Sequence, residues 1–136
     1  TVSPPQLYVI FVSEAHDSLL AKIGTVVACK SEGNMTPLVS IAGLISLFYQ
    51  MQNTLHEFAT SHGVDSSCSK AYIAAFHHAL AQAASTSDDA ATFEEFVVEC
   101  ATPGGLNEQA LRELTDAGAF AAMRETAENI YKRLSR

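Results

Sequence analysis

Two groups of residues in this chain have types and spacing that chemistry could use. The first is Ala101-Thr102-Pro103-Gly104-Gly105-Leu106-Asn107. Its two glycines permit φ > 0 and let a ligand approach the backbone closely. They stand just before a helical pattern. There, N–H groups without intrahelical partners and the helix dipole attract an anion. Thr102 and Asn107 add side-chain hydrogen-bonding groups, so a small carboxylate fits this nest. The same residues also suit a plain interhelical turn with a cap. As a cap, Asn107 would hold the N–H of Gln109 or Ala110 and turn its amide outward. The second group is Asp88, Asp89, Glu94 and Glu95. Paired carboxylates can do acid–base work, but this spacing reads as a solvated acidic helix face.

Other chemistry is excluded or weakly supported. The sequence has no G-x-G-x-x-G, no G-K-[ST] loop and no H-E-x-x-H. The histidines are His16, His56, His62, His77 and His78. His77 and His78 are adjacent on a helix and point about 100° apart, and His56 and His62 do not face together. No metal site is expected. The formal net charge of −7 repels phosphate backbones, so nucleic acid is not an expected partner. Cys29, Cys68 and Cys100 are far apart, without C-x-x-C. They read as small buried thiols of a reducing compartment, hence a cytoplasmic protein. Between Gly33 and His56 there is no Asp, Glu, Lys or Arg. The apolar centre of that run, Leu38 to Met51, is shorter than the roughly 20 residues a membrane span needs. A helix buried on nearly all sides is expected instead.

These residues need elements to position them. With 136 residues, 48% of them hydrophobic, the chain suits one ordinary domain with a core. Leu7 to Phe11 reads as a strand after Pro4-Pro5. Ser13 to Gly24 reads as a capped helix, and Thr25 to Cys29 as a second strand. That is a minimal βαβ unit. It needs more sheet to stand alone, so residues 1–32 read as the end of a domain whose start lies upstream. From residue 33 the pattern is helical. One long helix is expected from Met35 to Ser61, with two apolar faces and small residues Ser40, Gly43 and Ser46 along it. Asp65 caps a helix of about Ser66 to Ser85, with Ala71, Tyr72, Ala75, Phe76, Ala79 and Ala83 inward. A break and cap are expected at Ser85 to Asp88. A helix from about Ala90 to Cys100 follows, burying Phe93, Phe96, Val97 and Cys100. The next helix starts near Leu106 or Asn107 and stops at Gly118. The last carries Phe120, Met123, Ala127, Ile130 and Leu134 in one stripe.

Thr102-Pro103-Gly104-Gly105, then Ala110-Leu111, Gly118-Ala119-Phe120 and a final helix, resembles the C-terminal region of pyrroline-5-carboxylate reductases. Upstream, the βαβ piece with Gly24-Thr25-Val26-Val27, the long apolar helix and the helix after Gly63-Val64 follow the same order. The resemblance covers essentially the whole chain and is specific at residues 101–120. It implies a mostly α fold. A helical dimerisation domain at 33–136, like the C-terminal domain of 6-phosphogluconate dehydrogenase, would follow a βαβ remnant of a Rossmann domain at 1–32. It also implies an NAD(P)H-dependent imine reductase of the proline-forming type, with NADPH or NADH held by the full-length protein and none by this chain alone. An intertwined homodimer is implied, with room for higher assembly, and no membrane partner. The substrate carboxylate would meet Thr102, Gly104, Gly105, Leu106 and Asn107, and Ser40 would line the pocket.

Two departures are visible. The family's threonines after Gly-Gly fall on Leu106 and Asn107. Its S-G-S-G-P-A-Y falls on Ser40 to Ser46, where Ser40 and Gly43 are kept and the tyrosine is lost. The departures leave open a divergent paralogue acting on another small imine or an oxo acid. A helical dimerisation module without catalysis is the alternative of a different class. No residue here is an obvious general acid.

Overall fold

A computed structural model of the chain describes residues 9–11, 26–29, 31–86 and 91–136. The expected helix from Ser13 to Gly24 lies outside the described residues, as do His16 and Ser87 to Ala90. Among the described residues the elements are strands β1 (Val9–Phe11) and β2 (Val26–Ala28), a 3-10 turn at Glu32–Asn34, and six α-helices. These are α1 (Met35–Ala42), α2 (Ile45–Ser61), α3 (Ser66–Thr86), α4 (Phe93–Cys100), α5 (Leu106–Asp116) and α6 (Ala119–Leu134). The mostly helical class expected from the sequence is what the chain adopts. It divides into two compact units, Thr1–Leu44 with Ala127–Arg136, and Ile45–Thr126.

In the first unit β1 and β2 pair in parallel, Val9 opposite Val26 and Phe11 opposite Ala28. Parallel pairing is the direction the βαβ pattern implied for these two strands. α1 begins after the 3-10 turn, with Pro37 in its first turn, where a missing N–H costs nothing. Ser40 is 2% exposed, and its hydroxyl donates to the Thr36 carbonyl at 2.8 Å. The expected single helix from Met35 to Ser61 is instead two helices, interrupted at Gly43-Leu44. Glycine has poor helix propensity, and packing uses its lack of a side chain. A Cβ on Gly43 would stand 3.1 Å from Ile130 Cδ1 and from the Ser40 carbonyl. Leu44 is buried beside this contact.

In the second unit α2 and α3 pack on one another. α2 ends as the sequence indicated. Val64 N–H donates to the Ala59 carbonyl, and Gly63 N–H to that of Thr60. This pattern requires the left-handed φ of +86° that Gly63 adopts. Asp65 then caps α3, its Oδ1 accepting from the N–H groups of Ser67 (2.9 Å) and Cys68 (3.1 Å). The Ser67 hydroxyl and these N–H groups hold the Asp65 carboxyl below its usual range. Between the helices His56 meets Ser69 Oγ through Nδ1 at 3.0 Å and Ser66 Oγ through Nε2 at 3.4 Å.

The expected inward face of α3 is corrected. Ser69 and Ile73 are its buried row, while Ala71, Tyr72, Ala75, Phe76, Ala79 and Ala83 are exposed. Likewise Phe93, Val97 and Cys100 of α4 are exposed and only its Phe96 is half-buried, and Cys68, expected buried, is exposed on α3. Periodicity finds an apolar face but not what covers it. Within one chain these faces are uncovered. Phe58 is 63% and Tyr72 70% exposed, at an open apolar groove also lined by Leu55, Val64, Ile73 and Phe76. The cap expected at Ser85 to Asp88 is also corrected. α3 continues to Thr86, and Thr92 caps α4. α6 keeps its stripe, with Met123, Ala127 and Ile130 half-buried and Phe120 and Leu134 exposed at its ends. Among the described residues no helix is long and apolar enough to cross a membrane.

Candidate functional site

The turn between α4 and α5 is assembled by short-range chemistry. α4 stops at Cys100, and Ala101 N–H still donates to the Val97 carbonyl. Thr102, Pro103, Gly104 and Gly105 then make a β-turn, closed by Gly105 N–H on the Thr102 carbonyl at 2.9 Å. Pro103 suits the second position of such a turn, and the third needs φ > 0. Gly104 supplies it at +73°. Gly105 is extended (φ −86°, ψ 168°) and is the N-cap of α5. It needs glycine for a different reason. A Cβ there would lie 2.9 Å from the Thr102 carbonyl oxygen.

Gly105 caps with its backbone alone and offers no side-chain oxygen. Its carbonyl accepts the first helical bond, from Gln109 at 3.1 Å. The expected cap at Asn107 is therefore corrected. Asn107 is the second helical residue, and its Nδ2 donates across the turn to the Cys100 carbonyl at 3.2 Å. Glu108, a first-turn acid that suits the helix dipole and opposes an approaching carboxylate, is itself part of the turn. Its Oε2 accepts from Gly104 N–H at 2.6 Å. The signal for it is local, since an acid three residues after an N-cap is half of a capping box. Here Gly105 N–H is already engaged, and the carboxylate reaches one residue further back.

The N–H groups of Leu106, Asn107 and Glu108 have no partner among the described residues. They form the open N-terminus of an 11-residue helix, where dipole and geometry favour an anion. Thr102 and Asn107 are exposed, and Leu106 is 84% exposed. So the structure gathers Thr102, Gly104, Gly105, Leu106 and Asn107 into one turn. Ser40 belongs to the other compact unit, with its proton engaged by Thr36. Glu94 and Glu95 are exposed. Among the described residues no group of three or more His, Cys, Asp or Glu could hold a metal ion.

Comparison with known proteins bears on this arrangement. Residues 32–136 match the family model of pyrroline-5-carboxylate reductase dimerisation. In three dimensions the chain is similar to a crystal structure of Plasmodium falciparum pyrroline carboxylate reductase with NADP bound. The TM-score is 0.70 at 16% identity, over 90% of this chain and 49% of that one. The chain thus spans about half the length of that reductase, and at this identity the likeness is one of fold. No curated protein matches it in sequence.

Proposed function

The chain belongs to the pyrroline-5-carboxylate reductase family, and from that premise we propose that it is the dimer-forming, substrate-side part of an NAD(P)H-dependent imine reductase. The observation that carries the reading is the Thr102 to Glu108 turn. Three N–H groups without a partner among the described residues open a helix, and a Cβ on Gly105 would press on the Thr102 carbonyl. A substrate carboxylate is oriented by those groups, beside Thr102 and Asn107. Ser40, in the other compact unit, keeps its hydroxyl proton on the Thr36 carbonyl and is not part of this reading.

The described residues do not themselves fit a dinucleotide. Two three-residue strands are present, and the sequence holds no glycine-rich phosphate turn. The parallel β1–β2 pair supports reading residues 1–32 as the closing βαβ of a nucleotide-binding domain and 33–136 as the helical domain. A nicotinamide held by the rest of the whole protein would supply the hydride. The residues of this chain bind and orient the acceptor. The three free thiols suit a cytoplasmic setting.

Exposed apolar faces on α2 and α3 support an intertwined homodimer. Phe48, Phe58, Tyr72 and Phe76 are each at least 45% exposed. Leaving such surface in water costs about 25 cal/mol per Å², and a second copy removes it. Leu106 and Asn107 in place of the family's threonines favour a second reading, a paralogue that prefers another small imine.

The test uses the whole protein. Light scattering at micromolar concentration should give a dimer. NADPH should be oxidised with pyrroline-5-carboxylate or a related cyclic imine, and Gly105→Ala should lower kcat/KM about a hundredfold. A stable folded monomer would overturn the assembly. A dimer that leaves NADPH unoxidised with every imine and oxo acid tried would be a dimerisation module only.

A further inference from the structure

Glu108 is an unusual neighbour for a carboxylate ligand. It is half-buried, and its own carboxylate already sits on Gly104 N–H at 2.6 Å. One of the turn's backbone donors is thus occupied by a resident anion of the class proposed for the ligand. The donors that remain are the N–H groups of Leu106, Asn107 and Glu108. A carboxylate taken up there lies within one helical turn, about 5.4 Å along the axis, of the resident charge. Two like charges at that separation repel appreciably at the edge of a protein, though solvent screens part of it. A positive group on the ligand reverses the sign of the net interaction.

Resting on the substrate-turn reading above, we propose that Glu108 is a specificity-determining residue that makes this turn discriminate against net-anionic carboxylates. It admits a carboxylate whose charge is balanced within the same molecule, as by a protonated ring nitrogen. It disfavours an oxo acid or other simple anion of the same size. The resident carboxylate acts through its charge, and its bond to Gly104 holds that charge in place.

The test compares two ring carboxylates of one shape by calorimetric titration of the whole protein. L-proline carries a balancing ammonium, and cyclopentanecarboxylate does not. The wild type should prefer proline. Glu108→Gln keeps an acceptor for Gly104 N–H but removes the charge. It should narrow the preference about tenfold, mainly by tighter binding of cyclopentanecarboxylate. Glu108→Asp keeps the charge on a shorter arm and should retain most of the preference. Circular dichroism melting confirms that each variant is folded. Gly105→Ala, which closes the turn itself, should lose both ligands. If Glu108→Gln leaves the ratio unchanged while Gly105→Ala still loses both, the role of Glu108 is overturned and the turn stands. If Gly105→Ala binds both as the wild type does, or no folded form binds either, the substrate-turn reading falls instead.

Discussion

Helices α4 and α5 follow one another in the chain, and their N-termini are finished in opposite ways. At α4, Thr92 Oγ1 accepts the N–H of Glu95 at 3.2 Å, and Thr92 N–H donates to the Glu95 carboxylate at 2.6 Å. The cap is reciprocal and local. At α5 the N-cap is Gly105, with no side chain to accept anything. Glu108, at the position matching Glu95, reaches past the cap to Gly104. Both ends have an acid in the third helical position, and only one is closed. A side-chain oxygen at the N-cap removes a helix end from ligand chemistry, and glycine there leaves it available. The difference is set by one residue, Thr92 against Gly105.

The largest effect should come from closing the open end. In Gly105→Ala the new Cβ meets the Thr102 carbonyl oxygen at 2.9 Å, so the β-turn has to shift. Overpacking of this kind costs about 1–3 kcal/mol. A displacement near 1 Å of the N–H groups should lower kcat/KM for a carboxylate substrate by about a hundredfold. Gly104→Ala is the control within the turn. Its Cβ meets nothing within 4 Å, and the penalty is the left-handed backbone, about 1–2 kcal/mol. Thermal melts and steady-state kinetics on both variants separate strain from clash. Equal kinetic loss in the two would mean that Gly105 matters only as a flexible residue.

At the closed end the expected effects are on stability alone. Thr92→Ala should cost about 1 kcal/mol of unfolding free energy and leave ligand affinity unchanged. Glu95 adds a pH signature. The backbone N–H of Thr92, and then its hydroxyl, hold the Glu95 carboxyl below its usual range. A lowered folded value means stability that is fully present above the unfolded value, about 4.3. It is lost as pH falls through the lowered one. Urea denaturation should therefore show Glu95→Gln less stable than the wild type at neutral pH. The gap should close in acid, below the folded value. A gap that stays constant down to that range would remove the carboxylate from the account of this cap.

Much of this contrast was legible in local sequence. Pro103-Gly104-Gly105 announced a turn because φ preferences act within a few residues, and Asp65, Gly63 and Gly118 marked helix ends for the same reason. The pairing of Val9–Phe11 with Val26–Ala28 followed from a crossover pattern of short range. The interruption at Gly43-Leu44 was not legible, since its partner Ile130 lies near the other end of the chain. The faces of α3 and α4 were misassigned because apolar spacing is identical whether the cover is this chain or another. Asn107 was misplaced because its preference for caps is local, whereas its actual acceptor is the last carbonyl of the preceding helix.

That acceptor frames the smallest effect. The bond from Asn107 Nδ2 to the Cys100 carbonyl, at 3.2 Å, joins the end of α4 to the start of α5. It is exposed, so its net worth belongs at the low end of about 0.5–1.5 kcal/mol. Threonine, the family's residue at this place, is too short to span the turn in the same way, and its helix propensity is close to that of asparagine. Asn107→Thr should therefore leave the melting temperature nearly unchanged. The loss should appear in the turn itself. Amide hydrogen exchange at Gly104 and Gly105 should quicken by up to about fivefold, the equivalent of ~1 kcal/mol of local opening. Exchange at Glu95, in the reciprocal cap, should not change. The kinetic consequence decides what the substitution means. If Asn107 only braces the turn, threonine should lower kcat/KM on pyrroline-5-carboxylate by less than about threefold, under ~1 kcal/mol in transition-state terms. If Asn107 instead narrows the pocket against that substrate, threonine should raise kcat/KM well beyond that margin. Unchanged exchange at both glycines together with a large gain in turnover would remove the brace and leave Asn107 as a selector of substrate.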